Sequence, residues 1–415
     1  MPPSFHAMFQ VFGRIGLMSF GGPAAQISLM HEELVDKHKW LSEPQFLGAL
    51  SFCMLLPGPE AMQLATFAGW RLRGIAGGLL AGLLFVVPGA VVILGLALGY
   101  AAWGDVPLVQ ALFLGVKAAV VAIVLQALLK LSRKALNTPD SWALAGLAFV
   151  AMFILSLPFP LVIGMAAIWG AWRAAPGELG DASPATLPAL SRSITIATIW
   201  IALWALPVAL AWAAGATFLV ELGIFFSKLA VVTFGGAYAV LAYMTQAVVD
   251  THGWLNTEQM IDALGLAETT PGPLILVTEF VGVLAGFLKG GVALALSAGA
   301  LVLWVTFVPC FLWIFTAAPY VEALLQRPRL KGALSSISAA VVGVILNLSI
   351  WFALHVLFDT VHTTAFGPRP ELASLSWISA VLVAVAALAL LRFRVPLMPL
   401  LALMAGLGAI ATVLS

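Results

Sequence analysis

Residues 20–59 read FGGPAAQISLMHEELVDKHKWLSEPQFLGALSFCMLLPGP, and residues 234–273 read FGGAYAVLAYMTQAVVDTHGWLNTEQMIDALGLAETTPGP. Aligned without a gap, the second stretch repeats Phe20, Gly21, Gly22, Ala25, Met30, Val35, Asp36, His38, Trp40, Leu41, Gln45, Ala49, Leu50, Pro57, Gly58 and Pro59. The counterparts include Phe234-Gly235-Gly236, Asp250, His252, Trp254, Leu255 and Pro271-Gly272-Pro273. Rare residues carry the agreement, so a shared excess of Ala and Leu does not explain it. The chain is an internal duplication.

Composition sets the class. The chain is 62% hydrophobic and 9% charged, with a mean hydropathy of +1.08. Soluble domains carry about a quarter of their residues as charges, so this chain belongs in a bilayer. Its apolar runs have helical length and lack the short alternation of an outer-membrane barrel. A net charge of +1 gives nothing to attract nucleic acid, and Cys53 and Cys310 sit in apolar runs as small packing residues. Residues 1–5 hold no Lys or Arg and Arg14 interrupts the first apolar stretch, so no cleaved leader is expected.

Apolar spans are expected at 7–31, 43–70, 74–102, 107–131, 141–157 and 160–173. A Pro/Gly/Ser-rich linker follows at 174–192, then spans at 194–213, 216–249, 257–286, 290–317, 332–358, 373–391 and 395–414. That is an all-α polytopic protein of about thirteen crossings: a first repeat (1–173), a linker with a connecting span (174–213) and a second repeat (214–415). Lys and Arg cluster in alternate loops (Arg71 and Arg73; Lys130, Arg133 and Lys134; Arg327, Arg329 and Lys331; Arg392 and Arg394). That bias puts the amino terminus in the cytoplasm and the carboxyl terminus in the periplasm. Re-entrant hairpins at 43–70 and 257–286 would put the second-half clusters outside. Seven crossings separate Phe20 from Phe234, an odd number, so the repeats are expected to be inverted, as in many secondary transporters.

The breaks inside the spans point to a site. Gly21-Gly22-Pro23 and Gly235-Gly236 interrupt one pair of spans; Pro57-Gly58-Pro59 and Pro271-Gly272-Pro273 interrupt the other. Pro suits the first position of a helix, so Pro59 and Pro273 are expected to start half-helices whose free N–H groups face protein, water or an anion. Arg14 and Lys228 are equivalent under the repeat, as are Ser19 and Thr233. Two cations, two hydroxyls and inward helix termini suit a compact oxyanion carrying two charges, although the cations can equally snorkel to an interface. Glu60 follows Pro59 and can cap a helix start. Lys117, Glu268, Glu279 and Gln63 are candidates along a pathway. Gly74, Gly78 and Gly82 have spacing for close helix approach, within the chain or in a homodimer.

Phe-Gly-Gly, His38-x-Trp40-Leu41, the run Leu56-Pro57-Gly58-Pro59-Glu60-Ala61-Met62-Gln63-Leu64-Ala65 and Thr270-Pro271-Gly272-Pro273-Leu274 resemble the chromate ion transporter family in its long, two-domain form. The resemblance runs from about Phe5 to Ser415. It implies a bacterial inner-membrane exporter of chromate, related in chemistry to sulfate handling, with two opposed halves. Glu279 stands where many relatives are expected to carry Gln. Sulfate or another oxyanion, and import instead of export, remain the alternative.

No cofactor, metal or nucleotide is implied. There is no phosphate-binding GxxxxGK[ST] loop, no cluster of acids for Mg²⁺, and no zinc spacing among His6, His31, His38, His252, His355 and His362. An enzyme lacks its catalytic set here. A metal-cation exporter would want acids or thiolates where this chain pairs cations.

Overall fold

At Gly21-Gly22, Pro57-Gly58-Pro59 and Pro271-Gly272-Pro273 the backbone leaves the helix, as the sequence marked. The computed structural model describes residues 2–174, 190–234, 237–321, 327–364 and 367–414. From its amino terminus the chain runs α1 (Phe5–Met18), α2 (Gly22–His31), α3 (Glu43–Cys53), α4 (Glu60–Trp103), α5 (Pro107–Ala135), α6 (Pro139–Phe153) and α7 (Phe159–Arg173). After α8 (Leu190–Ala213) come α9 (Thr217–Val232), α10 (Ala237–Gln246), α11 (Thr257–Glu268) and α12 (Val277–Ala317). The chain closes with α13 (Pro328–Leu357), α14 (Trp377–Ala387) and α15 (Leu397–Leu414). An antiparallel hairpin of β1 (Val361–Thr364) and β2 (Gly367–Pro370) stands between α13 and α14, a departure from the expected all-helical chain.

The duplication extends to backbone detail. Ser42 and Asn256 cap α3 and α11, and their amides donate to Gln45 Oε1 (3.1 Å) and Gln259 Oε1 (3.0 Å). Each Gln thereby satisfies an orphan donor at its helix start. One turn of π-helix follows α2 (Glu32–Lys37) and another follows α10 (Ala247–Thr251). The Trp40 amide then donates to Leu34 (2.8 Å) and the Trp254 amide to Val248 (2.9 Å). Between them His38 lies 5.1 Å from the Trp40 ring and His252 stacks 4.1 Å from Trp254. These histidines help build a turn.

Two helices fold back on themselves. In α4, Arg73 and Gly74 leave helical geometry (Gly74 φ 62°), and Gly69 comes so near Gly77 that a Cβ on either would strike the other's carbonyl oxygen. In α12, Gly290 and Gly291 do the same (Gly291 φ 72°). The span boundary expected between 70 and 74 is this turn. Gly74 serves the turn, whereas Gly78 and Gly82 take the rings of Phe315 and Phe311, where a Cβ would come within 2.6 Å. The glycine run is therefore used inside the chain.

Five described stretches are long and apolar enough to cross a membrane: 60–103, 107–135, 191–213, 274–320 and 328–357. Shorter apolar helices cover 139–153, 159–173, 377–392 and 397–413. α2 has 10 residues and α3 has 11. At 1.5 Å per residue each reaches about half of a bilayer core. Trp142, Trp172, Trp212, Ile168 and Val91 lie bare on the surface, which water does not tolerate in such number.

Residues 1–98, 174–237 and 270–331 form one compact unit; residues 99–173, 238–269 and 332–415 form the other. Each unit thus draws on both repeats. The core of the first includes Phe12, Phe46, Phe85, Phe226, Phe280 and Phe315. Its α8 is held by two crossed indoles: Trp204 Nε1 donates to Val305 O (3.0 Å) and Trp304 Nε1 to Leu203 O (2.9 Å). In the second unit Ala118, Ala119 and Ala122 of α5 let α14 and α15 close in through Leu382, Leu400 and Met404.

Candidate functional site

Gly21-Gly22, Pro57-Gly58-Pro59 and Pro271-Gly272-Pro273 meet within the first unit, together with Thr233 at the end of α9. α1 ends at Ser19, whose hydroxyl donates back to Ile15 O (2.5 Å); α9 ends at Thr233, whose hydroxyl donates to Leu229 O (2.6 Å). Each hydroxyl satisfies a carbonyl the helix end leaves open. The main-chain carbonyls of the same two residues accept from the other repeat. Gly272 N–H donates to Ser19 O and Gly58 N–H to Thr233 O, both at 2.8 Å. Each Pro-Gly-Pro break is latched to the Phe-Gly-Gly break of the opposite repeat.

Glycine is required at these contacts. Gly58 has φ 119°, and a Cβ there would lie 2.8 Å from Gln63 Nε2 and 3.1 Å from Cys310 Sγ. Gly272 has φ 90°. Side-chain-bearing residues adopt such angles only under strain. Two buried amides brace the breaks from within. Gln26 Nε2 donates to Gly272 O (2.6 Å) and Ser19 O (3.2 Å), and Gln63 Nε2 to Pro57 O (2.6 Å). The Oε1 atoms of both glutamines are buried without a hydrogen-bond partner.

Between these elements lies a narrow cleft lined by Pro23, Gln26, residues 58–61 and residues 273–275. Its free volume is about 20 Å³, room for about one water. The Gln63 amide donates to Pro59 O (3.1 Å), so Pro59 caps α4 and Glu60 is the first helical residue. Pro273 likewise stands one residue before the 3-10 turn Leu274–Leu276. Both prolines were expected inside the helix start and lie one residue outside it. The first amides of α4 have no acceptor a turn earlier, which makes this end of the cleft electropositive. Glu60, half-buried at the same end, offsets it.

The cleft gathers Pro59, Glu60, Gly58 and Pro273 from the expected set, with Pro57, Gln63, Ser19, Pro271, Gly272 and Thr233 around the latches, while Gly22 begins α2. Gly21 (φ 85°) turns the chain into α2. Gly235 and Gly236 lie outside the described residues. Arg14 and Lys228 are exposed, and neither lines the cleft. The buried face of α1 carries Met8, Val11, Phe12 and Ile15, and Arg14 stands off it, 3.8 Å from Glu33 Oε1. Glu33 also takes Lys37 (2.9 Å), which reaches Glu32 at 2.7 Å. That hydrogen bond to Lys37 holds the Glu32 carboxyl below its ordinary range. Ser19 and Thr233 commit their hydroxyl protons to the helix ends, so neither is free to donate to an anion in this conformation.

Lys117 and Glu268 belong to the second unit, Glu279 to the first. Lys117 lies 3.6 Å from buried Asp262 and 3.4 Å from Glu258, and Tyr100 donates to Asp262 at 2.7 Å. Glu279 is buried on α12 with Oε2 lacking a hydrogen-bond partner. Sequence reasoning missed Gln26, Tyr100 and Asp262. The signal for Gln26 was a lone amide inside an apolar span, and for Asp262 an acid four residues after Glu258, on one helix face. Among the described residues no group of three His, Cys, Asp or Glu side chains is placed to hold a metal.

A family model described as "Chromate transporter" matches residues 6–171 and 220–411. The chain is 30% identical over 356 residues to a chromate transport protein of Cupriavidus metallidurans, covering 84% of this chain and 82% of the relative. It is 33% identical over 357 residues to a chromate transport protein of Pseudomonas aeruginosa (83% and 80%). A probable chromate transport protein of Synechococcus elongatus is 28% identical over 366 residues (86% of each). No solved structure matches. With two matched segments spanning most of its length, and apolar helices throughout, this multi-pass membrane chain belongs to the chromate transporter family.

Proposed function

We propose that the protein is a secondary transporter that carries chromate, a tetrahedral dianion, out of a bacterial cell, through the cleft beside the latched breaks. The observation that carries this reading is the exchange of hydrogen bonds between repeats: Ser19 with Gly272, Thr233 with Gly58. Reciprocal pairing of equivalent residues is what a two-fold relation between the halves generates. A two-fold axis lying in the membrane plane turns one repeat over relative to the other and favours alternating access.

With about 20 Å³ of free volume, the cleft is closed to an oxyanion in this conformation. Opening it means releasing the latches. A backbone hydrogen bond contributes about 0.5–1.5 kcal/mol net, so two of them form a gate that thermal motion and ligand contacts can work. Once open, the N-terminal amides of α4 face the anion, and a rotated Gln26 or Gln63 amide adds NH₂ donors. Arg14 and Lys228, exposed at matched positions, raise the local concentration of anions at the approach.

Export needs no nucleotide. A dianion leaving a cell that is negative inside gains about 2 × 2.3 kcal/mol per 100 mV. The test is uptake of labelled chromate into inverted and right-side-out membrane vesicles with potential and pH gradient clamped separately and sulfate as competitor. Uptake confined to inverted vesicles, driven by inside-positive potential, supports export. Uptake only by right-side-out vesicles, or displacement of chromate by equal sulfate, supports the importer of sulfate-like anions instead.

A further inference from the structure

The second unit holds a buried carboxyl group that the oxyanion reading does not use. Glu268 is the last residue of α11, three positions before Pro271, and its relative exposure is 8%. Tyr238 of α10 donates to its Oε1 at 2.8 Å. Among the described residues no Lys, Arg or His lies within ion-pair distance of it.

Its surroundings explain why that is unusual. The other acids of α11, Glu258 and Asp262, share Lys117 of α5, and Tyr100 of α4 donates to Asp262. Lys117 is thus already engaged two turns away. Tyr238 packs on an apolar cluster built from Ala118, Ala119, Ala122 and Ile123 of α5 with Leu382, Leu400 and Met404, which offers no titratable group. Gly265 of α11 meets Val116 and Val120 of α5. A carboxylate here would be a buried charge without a cation, at the negative end of a helix. A carboxylic acid meets neither penalty and still accepts from Tyr238, less strongly than a carboxylate would.

We propose that Glu268 is the proton-binding site of the transporter, taking up and releasing one proton in each cycle. The proton converts carboxylate to carboxylic acid, and Tyr238 remains the hydroxyl donor to it throughout. Losing the proton makes the buried site untenable, so the end of α11 must move toward water. Three residues on, that movement reaches Pro271-Gly272, whose amide closes one latch on Ser19. Proton release thereby favours latch opening through continuous chain without being required for it, since an imposed potential acts on the anion independently. The inference rests on the oxyanion-transport reading of that latch.

The test uses the full chain in liposomes with labelled chromate, an internal pH indicator and clamped potential. Wild type is expected to move protons with chromate. Glu268→Gln, which is neutral at every pH, is expected to keep chromate movement under an imposed potential and to lose the accompanying proton flux. Tyr238→Phe, a milder change, is expected to retain proton flux with a shifted pH profile, and it serves as the readout if the Gln variant does not fold. Proton flux per chromate unchanged in Glu268→Gln overturns the proposal, as does a Tyr238→Phe pH profile identical to wild type. Loss of chromate and proton movement together in a folded Gln variant also overturns it, by placing Glu268 in anion binding. Wild-type chromate flux without proton flux overturns the proton site alone. Absence of chromate flux from wild type overturns the transport reading first.

Discussion

The amide of Gly272 donates to the carbonyl of Ser19 over 2.8 Å, and the equivalent pair, Gly58 and Thr233, is joined over the same distance. Two parts of the duplicated motif that lie far apart in sequence complete each other across the repeat. A break in a membrane helix exposes backbone groups that lipid cannot satisfy, and here each break satisfies its counterpart.

Substitution at the latch glycines tests this directly. Gly58→Leu and Gly272→Leu should abolish transport while the protein still inserts, and Gly58→Ala should already reduce it strongly. At φ 119° and 90° a side chain costs on the order of 1–3 kcal/mol, and at Gly58 it also meets Gln63. Transport normalised to the amount of protein in the membrane is the measurement. Near-normal flux in both Leu variants would show that the latches do not gate.

Gln26 is expected to matter beyond its size. Replacing it by Leu leaves the carbonyl of Gly272 without its side-chain donor. The expected cost is about 1–3 kcal/mol of stability with a marked fall in flux. Thermal unfolding in detergent and transport in liposomes read the two effects separately. A stable, fully active Leu variant would remove Gln26 from the site.

Arg14→Gln and Lys228→Gln should each raise the chromate concentration needed for half-maximal flux by a few-fold, and the difference should shrink in high salt. Both side chains are exposed, so their attraction acts through solvent and is screened. Complete loss of transport in either variant, independent of salt, would instead put that cation in contact with the anion.

In the second unit, Lys117→Met should destabilise strongly, by about 3–5 kcal/mol, because Asp262 would be left as an unpaired buried charge. Adding Asp262→Leu should restore most of the loss. Unfolding midpoints of the two single variants and the double variant check this. A double variant no better than Lys117→Met would dissolve the pair.

Much of this was legible in the sequence. The two Pro-Gly-Pro motifs and the first Phe-Gly-Gly located helix breaks, because Pro and paired Gly act on the backbone locally. The turn at Gly74 followed from where the apolar runs end. What the sequence did not reveal depends on which helix face turns inward. Arg14 and Lys228 matched as a pair, yet both lie on faces turned away from their helices' buried stripes. Ser19 and Thr233 matched as well, but their hydroxyls bond to their own helices. Gln26 went unnoticed because its counterpart, Val240, breaks the symmetry on which the reading relied.

The central claim is that the oxyanion binds where the breaks interlock. Chromium scatters anomalously near its absorption edge, so crystals of the full chain grown with chromate locate the anion without ambiguity of atom type. The predicted result is a chromium peak in a widened cleft, at the amino-terminal amides of α4 and beside Gly58, Gln26 and Leu274, with at least one latch open. A chromium peak elsewhere in the membrane core, with both Gly272–Ser19 and Gly58–Thr233 bonds intact, would contradict it.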